Sequence, residues 1–92
     1  MTIKDLKNGD IIVNKAGHLG VVLKGEDYIL YQSIGSDSLD DFNDDLTMND
    51  ESYKDGDIME VYRGCTFIDI GVVGNEPIWQ RDEQWKSHSK ED

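Results

Sequence analysis

Three short apolar runs joined by turn residues dominate the N-terminal third of the chain and limit the folds open to it. Residues 11–13 are all β-branched, residues 18–23 place Leu19, Val21 and Leu23 on one face, and residues 28–32 are rich in tyrosine and aliphatic side chains. Turns containing glycine, at residues 14–17 and 25–27, separate the runs. Such runs are typical of strands, and connections this short join antiparallel neighbours. The sequence therefore predicts an antiparallel meander.

Three later segments extend this pattern toward the C-terminus. Residues 58–63, 67–73 and 77–81 are predicted strands, and Pro77 is acceptable at a strand start or edge. Short strands with glycine turns are typical of small barrels and curved sheets. The expected fold is mainly β: a five- to six-stranded antiparallel SH3-like barrel or curved sheet, with one short acidic helix or loop. A length of 92 residues suits a single domain, predicted over 1–82 with a polar tail at 83–92.

The formal net charge of −11 is concentrated in one segment. Residues 36–62 hold ten acidic side chains against Lys54 alone, whereas residues 1–35 are neutral and residues 63–92 carry −2. Binding to nucleic acid draws most of its affinity from Lys and Arg contacts to phosphates, and anionic membranes need the same residues. The charge therefore argues against both as direct partners. It favours a basic protein instead.

Two further features bear on the cellular compartment. No apolar run approaches the length of a transmembrane helix, and residues 1–6 lack the apolar core of a signal peptide. The single cysteine, Cys65, has no internal partner for a disulfide, which agrees with a reducing compartment. We expect a cytoplasmic protein in which Cys65 is a small buried apolar residue.

The acidic segment 36–57 contains a pattern that favours a helix over 37–47. Five acids fall at intervals of 3, 1, 3 and 1, which places them on one helical face, opposite Leu39, Phe42 and Leu46. Two properties argue against the helix: Asp has a poor helix propensity, and like charges four residues apart repel each other. An irregular acidic loop is the alternative. The five acids are Asp37, Asp40, Asp41, Asp44 and Asp45.

Three interpretations of this segment compete. Carboxylates one helical turn apart repeat about every 5.4 Å, near the spacing of successive phosphates, so that a rigid row could occupy the basic groove of a nucleic-acid-binding protein. An EF-hand-like count from Asp41 fails, because Leu46 replaces the turn glycine and Ser52 the bidentate glutamate. The simplest interpretation is a solvated acidic loop that maintains solubility.

Candidate residues for chemistry are few. No nucleophile–base arrangement, phosphate-binding glycine loop or His/Cys metal spacing is present, so we expect no enzyme, no cofactor and no metal site. Trp79 beside Pro77 is expected in the core. Trp85 stands among polar neighbours and is either an exposed anchor for a partner or a residue that folds back over the sheet.

Four stretches of the chain resemble small accessory proteins of phages and prophages of Gram-positive bacteria. They are residues 5–11 (DLKNGDI), 42–47 (FNDDLT), 57–63 (DIMEVYR) and 77–81 (PIWQR). Residues 64–74 look like an insertion relative to shorter relatives. Many small acidic phage proteins bind and block a host protein, including nucleases of bacterial immunity, so the resemblance implies an inhibitor.

We therefore expect a non-enzymatic accessory protein that inhibits a basic host or defence protein through an acidic, DNA-mimicking surface. The alternative is a module that binds a small ligand or nucleotide derivative between the sheet and the acidic segment. Self-association remains a third possibility, because open sheet edges can pair. The predicted partner-binding residues are Asp37, Asp40, Asp41, Asp44, Asp45, Asp50, Glu51 and Trp85.

Overall fold

The computed structural model describes residues 1–32, 35–67 and 76–81. Six strands form one antiparallel sheet in the order β4-β3-β2-β1-β5-β6. Within the described ranges the two outermost strands do not pair with each other, so the sheet is open. The strands are β1 (Ile11–Asn14), β2 (Leu19–Leu23), β3 (Tyr28–Tyr31), β4 (Gly35–Ser38), β5 (Ile58–Tyr62) and β6 (Trp79–Gln80).

The prediction of a mainly β protein with an N-terminal antiparallel meander is confirmed. The SH3-like barrel is not confirmed, because the sheet is open in the residues that the structure describes. The strand predicted over 67–73 lies mostly outside the described residues. The sequence pattern missed β4, whose residues Gly35–Ser38 carry no apolar side chain and pair with β3 through the backbone.

The core lies on one face of the sheet. Alternate residues of the central strands point into it, including Ile12, Val22 and Ile29, none of which exposes any measurable surface. Gly20 is part of this face because a β-carbon there would lie 2.7 Å from the Ile29 Cγ2 atom. Trp79 is partly buried and packs against the core, in line with expectation.

The acidic segment crosses this face without forming an α-helix. It continues from β4 into a 3₁₀ turn at Leu39–Asp41, an irregular loop and a second 3₁₀ segment at Glu51–Gly56. Three apolar side chains of the segment, Leu39, Phe42 and Leu46, are nevertheless buried in the core. The helical interpretation of 37–47 is therefore wrong, and the loop is what forms.

Local hydrogen bonds explain why the loop prevails over the helix. The Ser38 hydroxyl accepts from the Asp40 amide at 3.2 Å, and the Asp45 carboxylate accepts from the Thr47 amide at 3.1 Å. Short polar side chains that bond nearby amides in this way compete with helical hydrogen bonds. Leu46 has a φ of 71°, in the left-handed region, which a right-handed helix does not allow. The acids consequently do not form the single helical row that the spacing suggested.

Candidate functional site

A pocket of about 530 Å³ lies where the acidic segment meets the β1–β2 turn. Among the residues that the structure describes, four that line it are aspartates and none is Lys or Arg. The acidic residues are Asp37, Asp41, Asp50 and Asp55. The remaining lining residues are Asn14, Ala16, His18, Met48, Asn49, Ser52, Tyr53 and Gly56.

The four aspartates reach this pocket from different parts of the acidic segment. Asp37 lies opposite Ile29 in the β3–β4 ladder, so it shares the core-facing side of the sheet. Asp41 ends the Leu39–Asp41 turn, and its carbonyl accepts from the Asn49 amide at 2.9 Å. Asp50 caps the Glu51–Gly56 segment by accepting from the Ser52 amide. The fold therefore brings four aspartates from different parts of the acidic segment to the lining of one pocket.

The β1–β2 turn closes the other side of the pocket. The Ala16 amide donates to the carbonyl of Asp55 at 3.0 Å, and the Lys15 amide donates to that of Asp57 at 2.9 Å. The Asn14 side chain, almost fully buried, accepts from the His18 amide at 2.9 Å. These backbone contacts fix the position of the turn and carry His18 into the pocket lining.

The Tyr31 hydroxyl is the one buried side-chain polar atom without a hydrogen-bond partner in the described part of the chain. Tyr31 is 5% exposed, and its hydroxyl lies near the pocket-lining side chains of Asp37 and Asn14. Burial and the Asp37 carboxylate raise the pKa of Tyr31 well above its usual range, against a smaller opposing effect of Asn14. The hydroxyl therefore lies within the core beside Asp37 and Asn14, and Tyr31 is not part of the pocket lining.

Replacing Tyr31 by Phe should stabilise the protein at neutral pH by about 1 kcal/mol, since a buried unpaired hydroxyl is removed. In the native chain the folded pKa of Tyr31 lies above the unfolded value of 10.0. Folding therefore favours the protonated form of the hydroxyl over the ionised form, and the protein loses stability as the pH rises above 10. In Tyr31→Phe this alkaline loss should diminish. Urea unfolding between neutral pH and pH 11 measures both effects.

The exposed Tyr28 supplies a control, because Tyr28→Phe should leave neutral stability unchanged. A Tyr31→Phe variant that is destabilised at neutral pH would mean that the hydroxyl has a partner after all.

The basic side chains near the acidic segment bind oxygen atoms of the chain and do not line the pocket. The Lys54 ammonium donates to the Met48 carbonyl at 2.7 Å and lies 3.9 Å from the Asp57 carboxylate. The Arg81 guanidinium donates to the carbonyls of Ile58 and Asp45. These cations stabilise the fold, and neither side chain is part of the pocket lining.

A second, smaller pocket surrounds Arg63 but is occupied by an internal ion pair. The Arg63 guanidinium contacts both carboxylate oxygens of the buried Asp10 at 2.8 Å and donates to the Asp5 carbonyl at 3.1 Å. Asp10 raises the pKa of Arg63. Because Asp10 neutralises the guanidinium, this pocket is not an anion site.

The predicted site residues separate into three groups. Asp37, Asp41 and Asp50 meet at the pocket, together with Asp55, which was not among the predicted residues. Trp85 lies outside the described residues. The remaining predicted residues do not line the pocket: Asp40, Asp44, Asp45 and Glu51.

Asp45 illustrates why some of these acids serve the fold. Hydrogen bonds from the Thr47 hydroxyl and amide hold the pKa of Asp45 below its usual range. Its carbonyl also accepts from Arg81 at 3.0 Å. Asp45 is therefore a turn-forming residue, although its position in the acidic pattern resembled that of the pocket aspartates.

Comparison of the chain with known protein families, curated proteins and solved structures found no match. The resemblance to phage accessory proteins accordingly stays a prediction. In the described ranges no helix is long and apolar enough to cross a membrane. Nor do the His, Cys, Asp and Glu side chains of these ranges form a group of three or more suited to a metal ion.

Proposed function

We propose that the protein is a non-enzymatic binding protein that docks on a basic partner through its acidic pocket. The observation that carries this proposal is that four aspartates line one pocket, where the described part of the chain contributes no Lys or Arg. Four negative charges at one pocket attract a cationic group of a partner. The same charge increases the rate of encounter with a basic surface.

Inhibition of the partner follows from the position of this charge. A host or defence protein that binds nucleic acid, such as a nuclease, carries a basic groove, and an acidic protein that occupies the groove excludes the nucleic acid. The resemblance to small acidic phage proteins supports this role. The regular phosphate-like row is no part of the proposal, because the acids surround a pocket and do not follow a helix.

The alternative of a small-ligand module draws support from the pocket volume, which falls in the range of small-molecule sites. The charge of the lining changes the expected ligand. Four aspartates repel the phosphates of a nucleotide, whereas they attract a small organic cation. The pocket chemistry therefore disfavours the nucleotide derivatives that were considered from sequence.

Affinity capture from a Gram-positive bacterial lysate tests the proposal. The immobilised protein should retain basic proteins, with isoelectric points above about 9, at low salt. It should release them toward 1 M salt, where the Debye length falls to about 3 Å. Added protein should then reduce nucleic-acid binding or cleavage by the recovered partner. Retention that is insensitive to salt, or a partner whose activity is unaffected, would count against the proposal.

A further inference from the structure

The strand β4 forms one edge of the sheet, and one of its two hydrogen-bonding sides is open. In the described part of the chain it pairs with β3 alone, through four consecutive residue pairs without a bulge. The Leu39 amide donates to the Asp27 carbonyl at 2.8 Å, one pair beyond the end of this ladder. Hydrogen-bonded and non-hydrogen-bonded pairs alternate along an antiparallel ladder. The backbone groups of Ser36 and Ser38 therefore point away from β3.

Three of these backbone groups are available to another chain. Ser38 is the cap of the Leu39–Asp41 turn, so its carbonyl accepts the first hydrogen bond of that turn. The N–H of Ser38 and both backbone groups of Ser36 remain, and Ser36 is exposed. Within the described residues these three groups make no hydrogen bond to a turn or a loop. They form a short template on which a further strand can pair.

Only one of the features that protect edge strands from pairing is present on β4. Such features include Lys or Pro on the strand, a bulge, and a charged side chain that points inward. Residues 35–38 contain neither Lys nor Pro, and their one charged side chain is that of Asp37. It lies opposite Ile29 on the core-facing side of the sheet, where it lines the acidic pocket. A carboxylate in this position repels an acidic strand and attracts one that places Lys or Arg opposite it.

Two exposed apolar side chains lie beside this edge on the other face of the sheet. Tyr28 and Leu30 of β3 are each 47% exposed, and their partners in the ladder are Ser38 and Ser36. A serine side chain is too small to cover either of them. A strand added to β4 lies about 10 Å from β3, at twice the usual strand spacing. Large apolar side chains on that strand can extend over the serines and contact Tyr28 and Leu30.

We propose that β4 pairs with an extended segment of the basic partner, which adds a further antiparallel strand to the sheet. This inference rests on the proposed function and specifies how the partner docks. The added strand carries Lys or Arg opposite Asp37 and apolar side chains opposite Ser36 and Ser38. The pair at Asp37 is a non-hydrogen-bonded one, in which the Cα atoms are only about 4.5 Å apart and the side chains approach most closely.

A second copy of the chain suits this edge less well than a basic segment does. Two β4 strands paired about Asp37 place the two carboxylates directly opposite each other, and like charges in that position are destabilising. Each copy also carries a net charge of −11, which opposes the approach of another copy. The charge at the edge therefore selects a basic strand.

Three peptides of equal length and charge test the inference by isothermal titration at low salt. All are alternating repeats of lysine and valine: one is unmodified, one is N-methylated at the valine amides and one at the lysine amides. An antiparallel strand bonds β4 through the residues opposite Ser36 and Ser38, which are the valines. Methylation of the valine amides should weaken binding about tenfold or more, because these hydrogen bonds are lost. Methylation of the lysine amides alters only the far edge of the added strand, so that peptide should bind like the unmodified one.

Variants of the protein test the same contact from the other side. Ser36→Pro removes an N–H that points away from β3, an arrangement in which an edge strand tolerates proline. It should weaken the peptide methylated at lysine about tenfold, whereas Ser36→Thr, which keeps the N–H, should not. Leu30→Ser should weaken the same peptide but leave a Gly-Lys repeat of equal charge unaffected. Circular dichroism establishes that each variant is folded.

The outcomes separate this inference from the proposed function. Equal binding of the two methylated peptides, lost alike in Asp37→Asn, would overturn strand pairing and leave the acidic pocket as a general cation site. If no peptide binds at low salt, strand pairing is overturned, whereas capture from the lysate still decides the proposed function. A dimer in sedimentation that Ser36→Pro dissociates would assign the edge to a second copy and overturn the inference.

Discussion

Replacing Asp37, Asp41, Asp50 and Asp55 together by asparagine is expected to reduce the affinity for a basic partner by about 100-fold or more at low salt. The reason is that close charge pairs at interfaces contribute about 1.5 kcal/mol or more each to binding. The salt dependence of any remaining binding should become shallow, because the attraction that salt screens is gone. The change removes four negative charges and leaves side chains of almost the same shape.

The fold should survive these substitutions. Asp50 caps the Glu51–Gly56 segment by accepting from the Ser52 amide at 2.9 Å, and asparagine caps such segments as well as aspartate does. Circular dichroism and urea unfolding should therefore give a native protein, so that weaker binding is attributable to the charge.

A second variant with the same change in net charge provides the control. Its four substitutions fall outside the pocket lining: Glu26→Gln, Asp27→Asn, Asp44→Asn and Glu76→Gln. If the whole-protein field governed binding, the two variants would lose affinity equally. We expect the control to retain most of its affinity, and an equal loss in both variants would contradict a localised site.

Replacing Asp10 by asparagine should reduce the free energy of unfolding by about 2–4 kcal/mol. The expected loss is toward the lower part of the range for broken buried ion pairs, because the Arg63 side chain is partly exposed. Asp10 is 1% exposed and binds the Lys7 amide and two guanidinium nitrogens, each at 2.8 Å. Asparagine keeps one acceptor oxygen and turns an N–H group toward the guanidinium. The pair joins the loop before β1 to the end of β5.

Urea unfolding followed by tryptophan fluorescence measures this loss. An unchanged slope of the free energy of unfolding against urea concentration would indicate that the denatured state is unaltered. Asp44→Asn, an exposed change, should remain within about 0.5 kcal/mol of the native chain. The double variant Asp10→Asn with Arg63→Gln should recover part of the stability, because no uncompensated guanidinium remains. A loss below about 1 kcal/mol for Asp10→Asn would show that the pair contributes little.

Local sequence patterns were sufficient for the strands that carry apolar side chains. The β-branched run at Ile11–Asn14 and the alternation at Leu19–Leu23 predict strands because their periodicity matches a half-buried sheet. The edge strand Gly35–Ser38 has no such periodicity, since its residues pair by backbone and contribute little to the core. Sequence reasoning about the strand-forming residues could not have found it.

The acidic segment shows the opposite failure, in which a clear periodic pattern predicted the wrong element. Leu39, Phe42 and Leu46 do pack into the core, as the helical interpretation required. The backbone reaches those positions through turns capped by Ser38 and Asp45, which compete with helix hydrogen bonds. The pattern therefore identified the buried residues correctly and the conformation incorrectly.

The pocket itself depends on contacts between distant parts of the chain. Asn14 and His18 meet Asp55 only because the β1–β2 turn bonds to the carbonyls of residues 55 and 57. The orientation of Tyr31 follows from its register opposite Gly20, where the missing side chain leaves room for the ring. Neither feature has a local sequence signature, so Tyr31 and Asp55 escaped prediction while the density of acids was evident.

Chemical-shift mapping of the isotopically labelled protein during titration with a basic peptide of Gly-Arg repeats tests most directly whether the pocket is the binding site. We expect the largest amide shifts at the pocket aspartates and at His18 and Tyr53, and we expect them to disappear in the four-asparagine variant. Shifts concentrated on the outer face of the sheet around Tyr28 and Leu30, or spread evenly over all exposed acids, would contradict it.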